Sequence, residues 1–384
     1  MVESETGSVI GNPWSESSEP PESGVADVDG GDVLFGKLRP YLAKVVLARG
    51  VAYASTELLC LRPSKAVDSR WLAYAMLSCP VIDCAVATSE GTKMPRTSWE
   101  RLGGFVVPTP PLAEQRAIAD FLDAETARID ALIAKKGQLM FRIMDRSEHL
   151  IEREVLGLGG HQAAPARSFW FDSVPQGWDE TTLRHCNCEV QTGPFGSQLH
   201  SEEYVEGGWP VVNPSNLVGG RITAIESMTI SDEKREDLAR HVLHPGDIVF
   251  GRRGEMGRAG LVGEAEAGWL CGTGSLRLRA KGDRLVPGYL KILLETRALR
   301  GYFALASVGS TMDNLNSDIL LSAPVLIPAT AEQWAIVDQV QGTQLHAQEL
   351  GERIVRQVSL LRERRQALIT AAVTGELDIP GVAA

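Results

Sequence analysis

Apolar and polar positions along the 384-residue chain follow a small set of patterns, and each pattern occurs twice. "GDVLFGKLRP" (Gly31 to Pro40) and "GDIVFGRRGE" (Gly246 to Glu255) each open on Gly-Asp and continue with β-favouring residues. That combination predicts a tight turn feeding a strand. "SRWLAYAMLSC" and "VPGYLKILLETRALRGYFALA" place apolar residues at helical spacing. Short extended pieces that close on proline follow, "FVVPTPP" and "PVLIPAT". Proline there ends one domain and opens the next helix.

Two long amphipathic stretches complete the pattern. From Ala113 to about Leu156, apolar residues fall at Ile118, Leu122, Ile129, Leu132, Leu139 and Ile143, close to heptad spacing. Near the C-terminus Ile354, Val358, Leu361, Leu368 and Ala372 step by fours and threes. Neither stretch can bury its stripe alone, and an antiparallel pair satisfies both. Roughly 45 helical residues make a rod of up to ~65 Å.

The duplication runs in register. At an offset of 218, Trp71 and Leu72 match Tyr289 and Leu290, Gly91 matches Gly309, and Met94 matches Met312. Glu114 and Gln115 match Glu332 and Gln333, and Ile118 matches Ile336. The Gly-Asp segments match at an offset of 215, the difference being an ordinary loop indel. The chain is therefore two long modules rather than a solenoid of short repeats.

Composition narrows the class. The apolar fraction of 44% and charged fraction of 23% are those of a globular protein, no apolar run reaches membrane-span length, and the N-terminus lacks the charged and apolar regions of a secretory signal. The expectation is a cytoplasmic protein without membrane partners. Six cysteines include no CxxC pair, and the tightest group, His185, Cys186 and Cys188, lacks a second ligand cluster; no metal is expected.

The net charge of -11 is unevenly spread. Residues 1–30 hold seven acids and no base, 31–110 hold ten bases against six acids, and 176–328 hold fifteen against nineteen. A locally basic face is compatible with the acidic total, while pI gives no argument for DNA.

With these patterns in place the chain resembles the specificity subunit of type I restriction-modification systems. The resemblance is carried by "PQGW" (Pro175 to Trp178), "GDIVFGRRG" (Gly246 to Gly254), "GSTMDNLN" (Gly309 to Asn316), "PPLAEQRAIADFLD" (Pro110 to Asp123) and "LLRERRQALITAAVTGELDI" (Leu360 to Ile379). It covers Gly31 to Ile379 and rests on the order and duplication of these motifs.

The resemblance implies an α+β fold with two target-recognition domains joined by two long antiparallel coiled-coil helices in a pseudo-twofold internal repeat. Each domain reads one half of a bipartite double-stranded DNA sequence. Such subunits are non-catalytic, need no cofactor, and position methyltransferase subunits and, in the nuclease form, restriction subunits. The implied division is an acidic disordered tail at 1–30, a partial first recognition domain at 31–110, a spacer helix at 111–157 and a linker at 158–174. A second recognition domain at 175–328, a second spacer helix at 329–374 and a tail at 375–384 follow.

One departure stands out. About 70 residues separate Pro175 from Gly246, whereas 30 acidic, Ser/Pro/Glu-rich residues precede Gly31, a composition that stays disordered. The opening of the first recognition domain is expected to be missing, through truncation, a mis-set start or supply by another chain.

DNA contact calls for Arg and Lys toward phosphate or guanine, Asn and Gln toward adenine, and Ser or Thr toward either. The second module offers Arg252, Arg253 and Arg258 in a Gly-rich loop, Ser310, Thr311, Asn314 and Asn316 in "GSTMDNLN", and Thr192, Ser197 and Gln198 in "TGPFGSQ". The first offers Lys37 and Arg39, then Thr92, Lys93 and Arg96. Solvated surface and, for the asparagines, turn capping are the competing readings. Met94 and Met312 read as core.

The Glu-Gln pairs read as first-turn capping rather than catalysis. The helical stripe residues Ile118, Leu122, Ile129, Leu132, Ile354, Val358, Leu361 and Leu368 lie on the helices expected to dock methyltransferase subunits. Catalytic signatures are missing: Asn12-Pro13 is followed by Trp, Asn213-Pro214 by Ser, and no Gly-x-x-x-x-Gly-Lys-Ser/Thr loop occurs. A protein-recruiting scaffold that no longer reads DNA, or an enzyme with an unrecognised site, are the alternatives.

Overall fold

The computed structural model describes residues 25–159, 162–195, 198–252, 257–307, 315–380 and 382. The chain divides into two units, Met1–Phe141 with Gly351–Ala384, and Arg142–Leu350. Both long helices contribute to both units.

In the first unit β1 (Val25–Val28), β2 (Val33–Gly36), β3 (Val45–Leu47), β4 (Ala52–Ser55) and β5 (Leu58–Leu61) precede α1 (Ser69–Leu77), α2 (Cys79–Ala87), α3 (Trp99–Leu102) and α4 (Leu112–Val155). The sheet has the order β3-β2-β5, all antiparallel, with Val33 opposite both Leu47 and Leu61. Strand β1 pairs with β4, Val28 opposite Ala52. Part of the expected disordered tail is thus ordered: Val28 is buried, and the VADV segment finds a partner strand.

Helix α1 starts where the Asp68 carboxylate accepts from the Arg70 and Trp71 amides, an N-cap. Trp71, Ala75, Val81 and Ala85 then pack against Val33, Phe35 and Val45 of the sheet. The same core takes Ile118, Ala119 and Leu122 of α4 and Ile369, Ala372 and Val373 of α9 (Thr330–Thr374). Contacts along the pair descend in α9 as they ascend in α4: Asp130 with Arg365 at 3.0 Å, Lys136 with Gln357 at 2.5 Å, then Met140 against Gly351. The two helices are antiparallel here, as the stripes require.

The second unit holds β6 (Ala163–Pro165), β7 (Ser173–Pro175), β8 (Asp179–Thr182), β9 (Cys188–Thr192), β10 (Trp209–Val212), β11 (Leu217–Val218), β12 (Arg221–Ile222) and β13 (Thr229–Ile230). After them come α5 (Asp232–Asp237), β14 (Ile248–Gly251), β15 (Ala259–Leu261), β16 (Leu270–Cys271), β17 (Ser275–Ala280), α6 (Pro287–Leu294), α7 (Arg297–Ser307), α8 (Ser317–Leu321) and β18 (Pro324–Ile327). The main sheet runs β15-β14-β17-β9, β13-β10-β16 forms a second, and β18 pairs with β8. Residues 158–174, read as linker, include the β6–β7 pairing and a buried Phe171. The core gathers Phe250, Leu276 and Leu278 with Tyr289, Leu293 and Phe303, closed by Val155 at the end of α4, the following Leu156, and Ile336, Val337 and Val340 of α9.

The shared sequence signals have the same physical cause in each unit. Gly31 and Gly246 turn the chain at φ 96 and 88, values L side chains avoid. The following aspartate is buried and closes that turn, Asp32 accepting from the Asp29 amide and Asp247 from the His244 amide. Each then takes a bidentate arginine from the neighbouring strand: Arg62 at 3.0 and 2.8 Å, Arg279 at 2.6 and 2.6 Å. Arg62 holds the Asp32 carboxyl below the usual range, chiefly through this hydrogen bond.

The Glu-Gln pairs work differently from first-turn capping alone. Gln115 is buried; its Oε1 accepts the Asp68 amide at 2.8 Å while Nε2 donates to Ala66 O and Pro110 O. Gln333 repeats all three bonds with Val286, Arg284 and Pro328. The glutamine ties the start of a long helix to the segment that leads into α1 or α6. Among the described residues no single helix is long and apolar enough to cross a membrane.

Candidate nucleic-acid interface

The strand after each buried aspartate is followed directly by a basic residue, Lys37 or Arg252. Lys37 N–H donates to Glu57 O at 2.9 Å, and Arg252 N–H donates to Gly274 O at 2.9 Å. The carbonyl of each accepts from a residue of the polar loop, Thr97 at 3.1 Å and Leu315 at 3.0 Å. In each unit the fold therefore brings together two loops that are far apart in sequence.

In the first unit Arg39 N–H donates to Pro95 O at 2.7 Å, and Leu38 bridges to Arg96. Arg39 sits at φ 52 with its side chain exposed, and Thr92, Lys93 and Arg96 are exposed beside it, Lys37 being half-buried. Arg96 also pairs with Glu57 at 3.1 Å. An exposed pair of this kind is worth little in water, so the guanidinium stays recruitable by a stronger anion. Met94, expected in the core, is 48% exposed in the same loop. It lies three residues after Gly91, which turns the chain at φ 98.

In the second unit Arg252 Nε donates to Leu315 O at 3.2 Å, and its guanidinium lies 4.8 Å from the centre of the Phe195 ring. Phe195 is 47% exposed. Its amide is held by Gln198 Oε1 at 3.1 Å, and the same oxygen accepts from Arg240 Nη2 at 3.4 Å. Thr192 ends β9 at the base of this loop, and Arg258 enters β15 opposite, its carbonyl accepting from Gly251. A half-exposed guanidinium stacked on an exposed ring, with an amide beside it, is the donor set that phosphates, guanine and stacked bases require.

Asn316 is occupied otherwise: its side chain accepts the Ile319 amide at 2.9 Å and caps α8. Ser197, Arg253, Ser310, Thr311, Met312 and Asn314 lie outside the described residues. Sequence reasoning passed over Phe195 and Arg240. The signal for Phe195 was an aromatic between two glycines; Arg240 carried none, because only folding brings it to Gln198.

Beneath this loop His241 is fully buried. Burial first, and then Arg240, push its imidazole down to about 4. Arg240 Nε donates to its Nε2 at 3.0 Å, which requires the neutral ring.

The helix stripe divides in two. Ile118, Leu122, Ile129 and Ile354 are buried, at 5% exposure or less for the first three, and Val358, Leu361 and Leu368 are half-buried. The buried four are seam and core and are unavailable to a docking partner: turning toward the neighbouring helix removes their apolar surface from water. Leu132, Leu139, Phe141, Val355 and Leu360 stay exposed at 45 to 72%.

The fold and site define a class: a two-module α+β protein that duplicates one loop constellation and has two long helices that each contribute to both modules. Comparison with known proteins shows what it is similar to. Residues 9–139 match the type I restriction modification DNA specificity domain. The EcoKI specificity subunit of Escherichia coli (strain K12) is 24% identical over 324 residues, 83% of this chain and 67% of that one. The EcoBI specificity subunit of Escherichia coli is 22% identical over 300 residues, 76% and 62% of the two chains. A solved structure of a type I restriction-modification complex aligns at TM-score 0.72 with 20% identity, over 93% of this chain and 85% of that one. The HsdS subunit from Thermoanaerobacter tengcongensis aligns at 0.52 with 21% identity, over 93% and 84%.

The chain is thus similar along most of its length to specificity subunits of type I restriction-modification systems, and shares their fold. It spans about two thirds of the length of the curated relatives it matches.

Proposed function

We propose that this chain is the DNA-recognition subunit of a type I restriction-modification complex and has no catalytic role of its own. The observation that carries the reading is the duplicated loop pairing. In both units the basic residue that follows the Gly-Asp strand, Lys37 or Arg252, is bonded through its carbonyl to the polar loop. Two equivalent presentations of basic and polar side chains suit a bipartite target.

In the second module Arg252 and Arg258 would meet phosphate or guanine, Gln198 and Thr192 base edges, and Phe195 a base face or sugar. Arg253, Ser197, Ser310, Thr311 and Asn314 are proposed to complete it, while Asn316 caps α8. In the first module Lys37, Arg39, Thr92, Lys93 and Arg96 form a more basic version of the same surface. Methyltransferase subunits are proposed to dock on the long helices through the exposed residues rather than the buried stripe, and the complex would carry adenine methylation and, with restriction subunits, ATP-dependent cleavage.

Two experiments test this. Methylome sequencing of the host with and without the gene should show one adenine motif lost; an unchanged methylome overturns the proposal. In a binding series with DNA carrying that motif, Arg252→Ala should weaken affinity and reduce the slope of log K against log salt by about 0.9 for one lost phosphate contact. An unaltered slope removes Arg252 from the phosphate contacts.

A further inference from the structure

The turn that joins β2 to β3 carries backbone strain that its counterpart avoids. It runs through "LRPYLAK" (Leu38 to Lys44) and closes where the Gly36 amide donates to Lys44 O at 2.8 Å. Pro40–Leu42 form a single 3-10 turn, with Leu42 N–H on Arg39 O and Ala43 N–H on Pro40 O at 2.9 Å each. The residues that bracket it are left-handed, Arg39 at φ 52 and Ala43 at φ 46. There the Cβ of an L residue crowds its own carbonyl. Among the described residues only Arg39, Ala43 and Asn187 combine a side chain with a positive φ, so two of the three flank this one turn.

The second unit makes the same junction with glycine. Its Gly251 amide donates to Arg258 O at 3.0 Å, and the intervening "RRGEMG" (Arg252 to Gly257) includes two glycines, of which Gly257 stands at φ 84. Glycine takes such values freely. Strain in a loop without glycine persists only when its surroundings fix it, and it gathers where a binding surface needs one set presentation.

Packing accounts for part of the strain. Ala43 is buried in the core that holds Phe35, Val45, Val81 and Ala85, and Pro40 is buried too. Arg39 and Tyr41 have no such reason: both are exposed, Tyr41 by 54%. The Arg39 amide on Pro95 O at 2.7 Å, and the bridge between Leu38 and Arg96, tie the turn to the loop that exposes Thr92, Lys93 and Met94. A tyrosine is thus held toward solvent by a fixed turn at the rim of a basic surface.

We infer that Tyr41 is a specificity-determining residue of the first module, aimed by this turn at a base edge of the DNA half-site, with Arg39 beside it on the phosphate backbone. The inference rests on the DNA-recognition reading above and names a residue that reads within it. A tyrosine gives a large contact for two rotatable bonds, so little freedom is lost on binding. Its ring suits a thymine methyl and its hydroxyl a base-edge donor or acceptor. The exposed aromatic of the second module, Phe195, comes instead from the loop after β9. The two halves of the target are therefore read by different side chains and need not share a sequence.

The test enriches sequences bound by the full chain from a library of randomised duplexes. The unaltered chain should select a motif in two halves. Tyr41→Ala should lower the preference at one or two adjacent base pairs of one half by about tenfold, the size of one good base contact, and leave the other half as it was. The slope of log K against log salt should stay the same, since no cation is lost, whereas Arg39→Ala should reduce it. Tyr41→Phe keeps the ring and should stay within about threefold of the unaltered chain, while Pro40→Ala, which loosens the turn and leaves Tyr41 in place, should lose about threefold or more at the same base pairs. The urea midpoint of Tyr41→Ala should match that of the unaltered chain, as befits an exposed side chain. A selected motif that Tyr41→Ala leaves unchanged overturns this inference alone, as does equal loss at both halves. Phenylalanine failing as alanine does overturns the ring contact, and an unaffected Pro40→Ala overturns the aiming by the turn. If the unaltered chain selects no motif, the DNA-recognition reading falls with it.

Discussion

Replacing Gln333 by leucine isolates the bond set that ties the second long helix to its module. Leucine is close in volume, so packing at this wholly buried site changes little. The polar cost is large. Val286 N–H loses its acceptor at 2.7 Å, and Arg284 O and Pro328 O lose donors at 2.8 and 2.9 Å.

A buried N–H left without a partner costs ~1 to 3 kcal/mol, and two weakened carbonyls add about 1 more. The expected loss is ~3 kcal/mol, on the order of a 150-fold change in the unfolding constant. Urea unfolding followed by tryptophan fluorescence, with hydrogen exchange at the Val286 amide, measures it. Gln115→Leu should cost the same in the first unit, where the Asp68 amide is released. Gln333→Glu adds a sign test: an ionised carboxylate against two carbonyls is worse than leucine at pH 7, and recovers in acid as the protonated form regains a donor. A loss under ~0.5 kcal/mol, with Val286 still protected, would refute the clamp.

Two further perturbations separate seam, surface and pH effects. His241 titrates at about 4 in the fold against about 6.5 unfolded, so between these values the unfolded state binds more protons. Stability should be full above pH 6.5 and fall toward pH 4 with a slope of up to ~1.4 kcal/mol per pH unit; His241→Phe should flatten that limb in thermal melts across pH, and an unchanged slope removes His241 as its source. Ile129→Asp, placing a charge at a buried seam position, should cost ~3 kcal/mol or more, whereas Leu132→Asp, 47% exposed, should stay within ~0.5 kcal/mol. If only the second also abolishes methyltransferase co-purification, docking uses the exposed residues; equal stability losses would refute the division of the stripe.

Much of this protein was legible in sequence because local chemistry and periodicity carry it. Gly-Asp before a β-favouring run predicts a turn and a strand, and both copies form them, with Asp32 and Asp247 buried for a reason the sequence only hints at. Heptad-like stripes predict long antiparallel helices because an exposed apolar stripe is unstable in water, and Leu112–Val155 and Thr330–Thr374 follow. The fixed offset revealed two modules without any structure.

What only tertiary structure decided is who partners whom. That Gln115 and Gln333 clamp a distant segment, that Arg62 and Arg279 serve the aspartates, and that Arg240 reaches Gln198 depend on contacts between residues tens of positions apart. The same holds for the division of the helix stripe, since spacing marks which residues share a face while burial depends on what packs against it. The place of β5 at the end of its sheet among the described residues belongs here as well: a strand's sequence sets its pleat, but whether each side of its backbone finds a hydrogen-bond partner is settled by the neighbour folding lays beside it.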